Sequence, residues 1–232
     1  MNNDLTQEMA EGSRKFVWDK NHLLQTLHSG KNPIIKDLNV INALREVDRE
    51  DFVINPQRFS EEIHADKDIP IDFGQFQESP VLIAQKLQTL AIRAGAKVLE
   101  IGAGTGYVTA IIAVIVGDSG KLYALERNQQ LVEQARYNLG KRKYKTIAAR
   151  VELMFRDGSK GLISKSPYDA IYVAAAYEQP PKELLEQLKL GGRMILPLIN
   201  GDLKLYVRTD ENQIEESLIS AKNYKQVLAG VE

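Results

Sequence analysis

In the run Val98-Leu99-Glu100-Ile101-Gly102-Ala103-Gly104-Thr105-Gly106, an apolar stretch meets an acid and then three glycines at alternate positions. The pattern predicts a buried strand that enters a tight turn and opens a helix. Glycine in such a turn lets a ligand lie directly against backbone N–H groups. The dinucleotide fingerprint G-x-G-x-x-G requires glycine at 107, where the chain has Tyr107. The spacing is instead G-x-G-x-G, with Glu100 two residues ahead of the first glycine. Taken alone the stretch could equally be an ordinary glycine-rich turn. Two further acids give it company. Glu126 lies twenty residues beyond Gly106 and could accept two hydrogen bonds from a ribose diol, or stand as a solvated acid ahead of the Asn128 helix cap. Asp157 could accept the amino group of an adenine, with Gly158 permitting the turn, or the two could be a plain turn dipeptide.

The elements that must position these residues read as an α/β fold. Strand patterns at 97–101, 121–125, 150–155, 169–174 and 193–198 alternate with helical patterns at 107–116, 129–140 and 180–189. Such alternation implies right-handed crossovers and a Rossmann-like, doubly wound, mostly parallel sheet. Ligands in these sheets bind at the carboxyl ends of the strands, so Glu100, Glu126, Asp157 and Ala174 should share one crevice. Asn200-Gly201 is a tight-turn signal that leaves no room for a crossover helix, so Lys204–Val207 and then Ile214–Ile219 should form antiparallel edge strands. Ahead of Lys97 the chain reads as helical, with amphipathic spacing at Leu23, Leu24 and Leu27 and at Val40, Ile41, Leu44 and Val47. Residues 51–80 show no period and carry Pro56, Pro70 and Pro80, which suggests a functional loop before a helix at 81–90. The expected organisation is a helical and substrate-side segment, 1–96, packed on a core, 97–232, as one structural unit.

Composition narrows the function. Hydrophobic residues make up 44% and charged residues 26% of the 232, which fits an ordinary globular chain. The longest apolar run, Ala110 to Gly117, ends at Asp118 and is too short to span a bilayer. The polar, acidic start at Met1–Asp4 is no signal peptide. With no cysteine there is no disulfide framework and no thiolate chemistry, which fits the cytoplasm. A net charge of -1 argues against a nucleic-acid surface, and the basic run Lys141–Lys145 reads as a solvated helix end. His22, His28 and His64 lack ligand spacing, so no metal site is expected; His64 reads as a surface residue. Trp18, with Phe16 and Val17, reads as a packing anchor, and Tyr107 could line a ligand pocket or pack on the sheet.

The glycine loop, with Glu100 ahead of it, resembles the S-adenosylmethionine loop of class I methyltransferases. The chain lacks the Asn/Asp-Pro-Pro-Tyr motif of many amino-methyltransferases, having Ala174-Ala175-Ala176-Tyr177 instead, which disfavours that chemistry. From about Leu23 to Leu198 the order of segments is similar to the protein-L-isoaspartate O-methyltransferase family. The resemblance is carried by Val98–Tyr107, Arg156-Asp157-Gly158, Tyr168–Ala176 and Leu188–Pro197, and by the N-terminal stretch with Arg45–Arg49 and Phe52-Val53. It implies S-adenosylmethionine as cofactor, held by Glu100, Gly102, Ala103, Gly104, Gly106, Glu126, Arg127, Asp157, Gly158 and Ala174. It also implies a monomer that methylates isoaspartyl carboxylates in damaged peptides and proteins. The ester can close to a succinimide and reopen as aspartate, so the reaction is one of protein repair. No general base is required, because a carboxylate is already ionised at neutral pH.

One departure bears on the acceptor. The family has Gly-Gln-Thr-x-Ser-x-Pro ahead of the helix, and its serine binds the substrate carboxylate. This chain reads Gly74-Gln75-Phe76-Gln77-Glu78-Ser79-Pro80, placing Phe76 and Glu78 where the threonine and serine stand. A glutamate there would repel a bound carboxylate. Three readings are open. Ser79 takes over through a one-residue shift, with Glu78 turned outward to solvent; or the acceptor differs and Glu78 binds it; or methyl transfer is lost and the chain only binds the cofactor. Glu78 and Ser79 are the candidate catalytic residues under the first two.

Overall fold

A computed structural model of the chain describes residues 19–31 and 33–221. The proposed anchor at Phe16, Val17 and Trp18 lies outside the described residues. Helix α1 (Lys20–His28) starts at Asp19, whose carboxylate accepts from the His22 N–H at 2.7 Å. Helix α2 (Leu38–Glu46) starts at Asp37 in the same way. Both bury the apolar residues the spacing singles out: Leu23, Leu24 and Leu27, then Val40, Ile41 and Leu44. The aperiodic stretch that follows is two 3-10 turns, Arg49–Phe52 and Pro56–Phe59, and a minimal antiparallel pairing of β1 (Ile69–Pro70) with β2 (Phe76–Gln77). Helix α3 (Pro80–Leu90) then begins with Ser79 as its cap and proline at its first position.

Among the described residues, seven further strands form one sheet: β3 (Lys97–Ile101), β4 (Lys121–Glu126), β5 (Val151–Phe155), β6 (Tyr168–Val173), β7 (Leu188–Pro197), β8 (Asp202–Asp210) and β9 (Gln213–Ala221). Their order is β5-β4-β3-β6-β7-β8-β9; the first five are parallel, and β8 and β9 are antiparallel. Helices α4 (Tyr107–Val116), α5 (Gln129–Leu139), α6 (Lys145–Ala148) and α7 (Lys182–Glu186) lie in the connections. The strand order reverses between β3 and β6, and in open α/β sheets ligands bind outside the carboxyl ends of the strands at such a switch point. Alternation along the strands fills two cores. Val98, Ala170, Tyr172 and Ile195 join residues of α1 to α4 on one face, and Leu99, Ile171, Met194 and Leu196 join Leu162 and Leu184 on the other. Each such buried side chain contributes roughly 1.5–3 kcal/mol.

Two expectations need correction. The helix expected over 180–189 is only five residues, Lys182–Glu186, and Leu188 already starts β7. Leu188 pairs with Tyr168, and the register then jumps so that Arg193 pairs with Ala170, leaving Lys189–Gly192 as a bulge. The helical spacing of leucines therefore ends in an extended chain that the β6 edge recruits. The basic run is not simply solvated either. Lys141 pairs with Asp51, Lys143 with Asp48 and Asp51, and the Tyr144 hydroxyl donates to Asp51 at 2.7 Å. These contacts fasten the 3-10 turn at 49–52 to the end of α5. No helix among the described residues is long and apolar enough to cross a membrane.

Candidate functional site

The carboxyl ends of four adjacent parallel strands, β5, β4, β3 and β6, carry the candidate cofactor residues. Gly102, Gly104 and Gly106 all have positive φ, between 54° and 91°, the left-handed region that favours glycine. The Gly102 and Ala103 N–H groups donate to the Leu125 carbonyl at 2.8 and 3.1 Å, which fixes the loop against β4. A Cβ on Gly102 would stand 3.1 Å from the Ala174 side chain, so the loop after β3 and the end of β6 are in direct contact. Gly158 packs as closely: a Cβ there would lie 2.8 Å from Ile101.

The acids take distinct roles. Glu126 is 7% exposed; its Oε2 accepts from the Gly104 N–H at 2.8 Å and its Oε1 from the Asn128 N–H at 2.9 Å. Each oxygen retains a lone pair, so the carboxylate braces the glycine loop and can still accept from a diol. Asp157 is exposed at the end of β5. The Ser159 N–H bonded to it and the nearby Arg127 charge hold its carboxyl below the usual range. Glu100 is fully buried. The Thr109 hydroxyl donates to its Oε2 at 2.7 Å, while its Oε1 has no partner among the described residues. Burial pushes its carboxyl up to about 8. Glu126, with a lone pair left on each oxygen at the end of β4, is suited to a ribose diol, and the unfilled acceptor of Glu100 lies two residues ahead of the glycine loop. This donor set fits S-adenosylmethionine. Tyr107 does not line the crevice: it is buried, with its ring 5.8 Å from Phe52. His64 is half-buried, and burial lowers its pKa.

The second half of the site is the N-terminus of α3. The Ser79 Oγ accepts from the Leu82 N–H at 3.3 Å, leaving the hydroxyl proton free to be donated. Asp68 accepts from the Ser79 N–H at 2.7 Å and Asp66 from the Val81 N–H at 3.3 Å. Phe76 is 45% exposed, so the substitution the sequence flags there faces solvent. Glu78 does not face solvent, as the first of the three readings has it: the buried Lys86 and Tyr172 draw its carboxylate inward. Its Oε1 meets the Lys86 ammonium at 2.5 Å, and its Oε2 accepts from the Tyr172 hydroxyl at 2.7 Å. The Lys86 Nζ also donates to the Val173 carbonyl at 3.3 Å, joining the α3 terminus to the end of β6 beside Ala174.

Three groups that shape this half have no role in the sequence reading. Arg49 is 1% exposed and its guanidinium donates to Gln77 Oε1 and to the carbonyls of Ile63, Ala65, Lys67, Gln77 and Glu78. It is the post around which the loop from 63 to 78 is wound. Burial brings its pKa down to about 10, which still leaves it cationic at neutral pH. Lys86 and Tyr172 are the others. A signal for Lys86 exists: it falls on the buried stripe of α3 with Ile83, Leu87 and Leu90, where a lysine is unexpected.

The family model described as protein-L-isoaspartate(D-aspartate) O-methyltransferase matches residues 18–228. The chain belongs to this family. A protein-L-isoaspartate O-methyltransferase from Aeropyrum pernix is 38% identical over 189 residues, covering 80% of this chain and 71% of the relative. One from Methanopyrus kandleri is 36% identical over 211 residues, covering 89% of each. Among solved structures, a protein-L-isoaspartate O-methyltransferase superposes with a TM-score of 0.69 at 26% identity, over 83% of this chain and 61% of that one. The family protein from Plasmodium falciparum, solved with S-adenosyl-L-homocysteine, shares the fold with a TM-score of 0.74 at 22% identity, over 88% of this chain and 98% of that one. Family membership makes this chain a methyltransferase that uses S-adenosylmethionine on isoaspartyl residues.

Proposed function

We propose that the carboxyl edge of β3, β4, β5 and β6 holds the cofactor, and that the α3 N-terminus presents an isoaspartyl carboxylate to it. The observation that supports this reading is that the glycine loop, Glu126 and Asp157 follow the carboxyl ends of the adjacent parallel strands β3, β4 and β5, while the α3 start carrying Ser79 is tied to β6 through Glu78 and Tyr172, in a chain of this family. S-adenosylmethionine supplies an electrophilic methyl group on a sulfonium sulfur. Glu126 accepts from the ribose hydroxyls, with Arg127 beside it. Asp157, on the Gly158 turn, accepts from the adenine amino group. Gly102, Ala103, Gly104 and Gly106 would form the loop against the cofactor, with the buried Glu100 behind it to balance the ammonium charge and Ala174, packed against Gly102, as a wall.

The Ser79 hydroxyl, its oxygen already engaged by Leu82, donates its proton to the acceptor carboxylate. No base is needed, because that carboxylate is ionised at neutral pH. The residues contribute orientation and exclusion of water, which can be worth about 7–11 kcal/mol of barrier. The same reading makes the enzyme a cytoplasmic monomer that engages neither membrane nor nucleic acid, in keeping with its cysteine-free composition and net charge of -1. Incubation with methyl-labelled S-adenosylmethionine and an isoaspartyl peptide tests the chemistry. The label should enter the peptide as an ester and leave as methanol under mild base; a base-stable label would mean a different acceptor atom.

A further inference from the structure

Glu78 stands where a free carboxylate would oppose an acceptor carboxylate, and yet its side chain is only 13% exposed. We propose that Lys86 is a positioning residue for the acceptor: it holds the Glu78 carboxylate inward against the Tyr172 hydroxyl and neutralises it, keeping the site open to a substrate carboxylate. The inference rests on the acceptor assigned above.

The geometry supports this role. Lys86 Nζ is 2.5 Å from Glu78 Oε1 and 5.0 Å above the Tyr172 ring, whose hydroxyl takes the other carboxylate oxygen. The three groups close a triangle with no side available for solvent at the lysine, which is 0% exposed. The Glu78 backbone is fixed as well, its carbonyl accepting from Arg49 Nη2 at 2.8 Å. The remaining charged or titratable groups around it are the Arg49 cation, Asp68 and Asp66 on the N–H groups of the α3 start, and Glu100 across Tyr172, whose carboxyl burial keeps protonated at neutral pH.

Stability does not account for the pair. A buried ion pair is on the whole no better than well-packed apolar side chains of the same volume, and Lys86 lies on an otherwise apolar stripe where methionine or leucine would pack. What an apolar residue cannot do is neutralise Glu78 and hold it back from the cleft. Among the described residues Lys86 makes its one ion pair with Glu78, so each residue explains the other.

The test is steady-state kinetics on an isoaspartyl peptide for wild type, Lys86→Met, Glu78→Gln and the double variant Glu78→Gln/Lys86→Met, with cofactor affinity measured by calorimetry. Lys86→Met frees a carboxylate beside the substrate's own, so KM for the peptide should rise about tenfold or more while kcat and cofactor affinity change less than about threefold. The double variant removes the offending charge and should return KM to within about threefold of wild type. Glu78→Gln alone leaves the Lys86 cation uncompensated and should lower KM below that of the double variant. The comparison of these last two serves even if Lys86→Met fails to fold. A double variant as impaired as Lys86→Met, or a Glu78→Gln KM no lower than that of the double variant, would show that the lysine is only structural and overturn the inference. A wild type without transfer to the isoaspartyl peptide overturns the assigned acceptor and this inference together, whereas an active wild type with an unaffected Lys86→Met overturns this inference alone.

Discussion

Replacing Glu100 with glutamine should flatten the pH dependence of folding stability. Glu100 is fully buried, with one oxygen bonded to Thr109 and the other unpartnered. Burial raises its carboxyl from 4.5 to about 8, against a smaller opposing pull from the Thr109 hydroxyl. In the unfolded chain the same carboxyl ionises near its ordinary value. Between these two pH values the folded protein therefore binds more protons than the unfolded one, and stability falls as pH rises through the window. At about 1.4 kcal/mol per pH unit the whole window is worth at most about 5 kcal/mol, and the span from about pH 5 to about pH 8 accounts for about 3–4 kcal/mol of it. Urea unfolding of ligand-free wild type and Glu100→Gln at those two pH values measures the effect, because other titrating groups cancel in the difference. Glu100→Gln should gain on the wild type by that amount between the lower and the higher pH. A second signature comes from the cofactor. If its ammonium group meets Glu100, the carboxyl ionises on binding and releases about 0.9 proton at about pH 7, read by calorimetry in buffers of different ionisation enthalpy. A wild type and a Glu100→Gln protein whose stabilities move in parallel with pH would refute a buried, protonated carboxyl at this position.

Glu126→Ala removes both the brace on the Gly104 N–H and the proposed ribose acceptor, and should weaken cofactor binding by about 1–3 kcal/mol in a titration of the folded protein. Unchanged affinity would remove the ribose assignment. Arg49→Met strands the carbonyls of Ile63, Lys67 and Glu78 and should destabilise the protein in chemical unfolding, at about 1–3 kcal/mol for each buried acceptor left unpaired. Arg49→Lys should recover little of that loss, since an ammonium cannot reproduce the planar fork. Ser79→Ala loses a helix cap, worth about 1 kcal/mol of stability, and the proposed donor to the acceptor, so kcat/KM should drop about tenfold to a hundredfold with cofactor affinity retained.

The parallel part of the fold is legible from the sequence because its strands are short apolar runs closed by glycine or an acid, and its helices begin at recognisable caps. The 97–101 strand, the helix at 107–116 and the antiparallel turn at Asn200-Gly201 all follow from local rules. The placement of the proposed cofactor residues is legible for the same reason, since each lies at or just beyond the end of a parallel strand and the crossover rule puts those ends on one edge of the sheet. The acceptor half depends on contacts distant in sequence. Glu78 meets Tyr172 across 94 positions, and Arg49 reaches Glu78 across 29, so no local pattern tells whether the glutamate faces the cleft or the core. The shortened α7 has a similar origin: the leucines of 184–190 suit a helix until Leu188 pairs with Tyr168. The basic run at 141–145 resembles a free helix end until Asp48 and Asp51 fold back upon it.

The central claim is that this site methylates an isoaspartyl carboxylate despite the glutamate in its acceptor loop. Transfer of labelled methyl from S-adenosylmethionine to a matched pair of peptides, identical except for isoaspartate or aspartate at one position, tests it most directly. The inward, neutralised Glu78 and the free proton of Ser79 lead to rapid, base-labile labelling of the isoaspartyl peptide and none above background of its aspartyl twin. Equal labelling of the two, or labelling of neither by a protein that still binds the cofactor, would contradict the account.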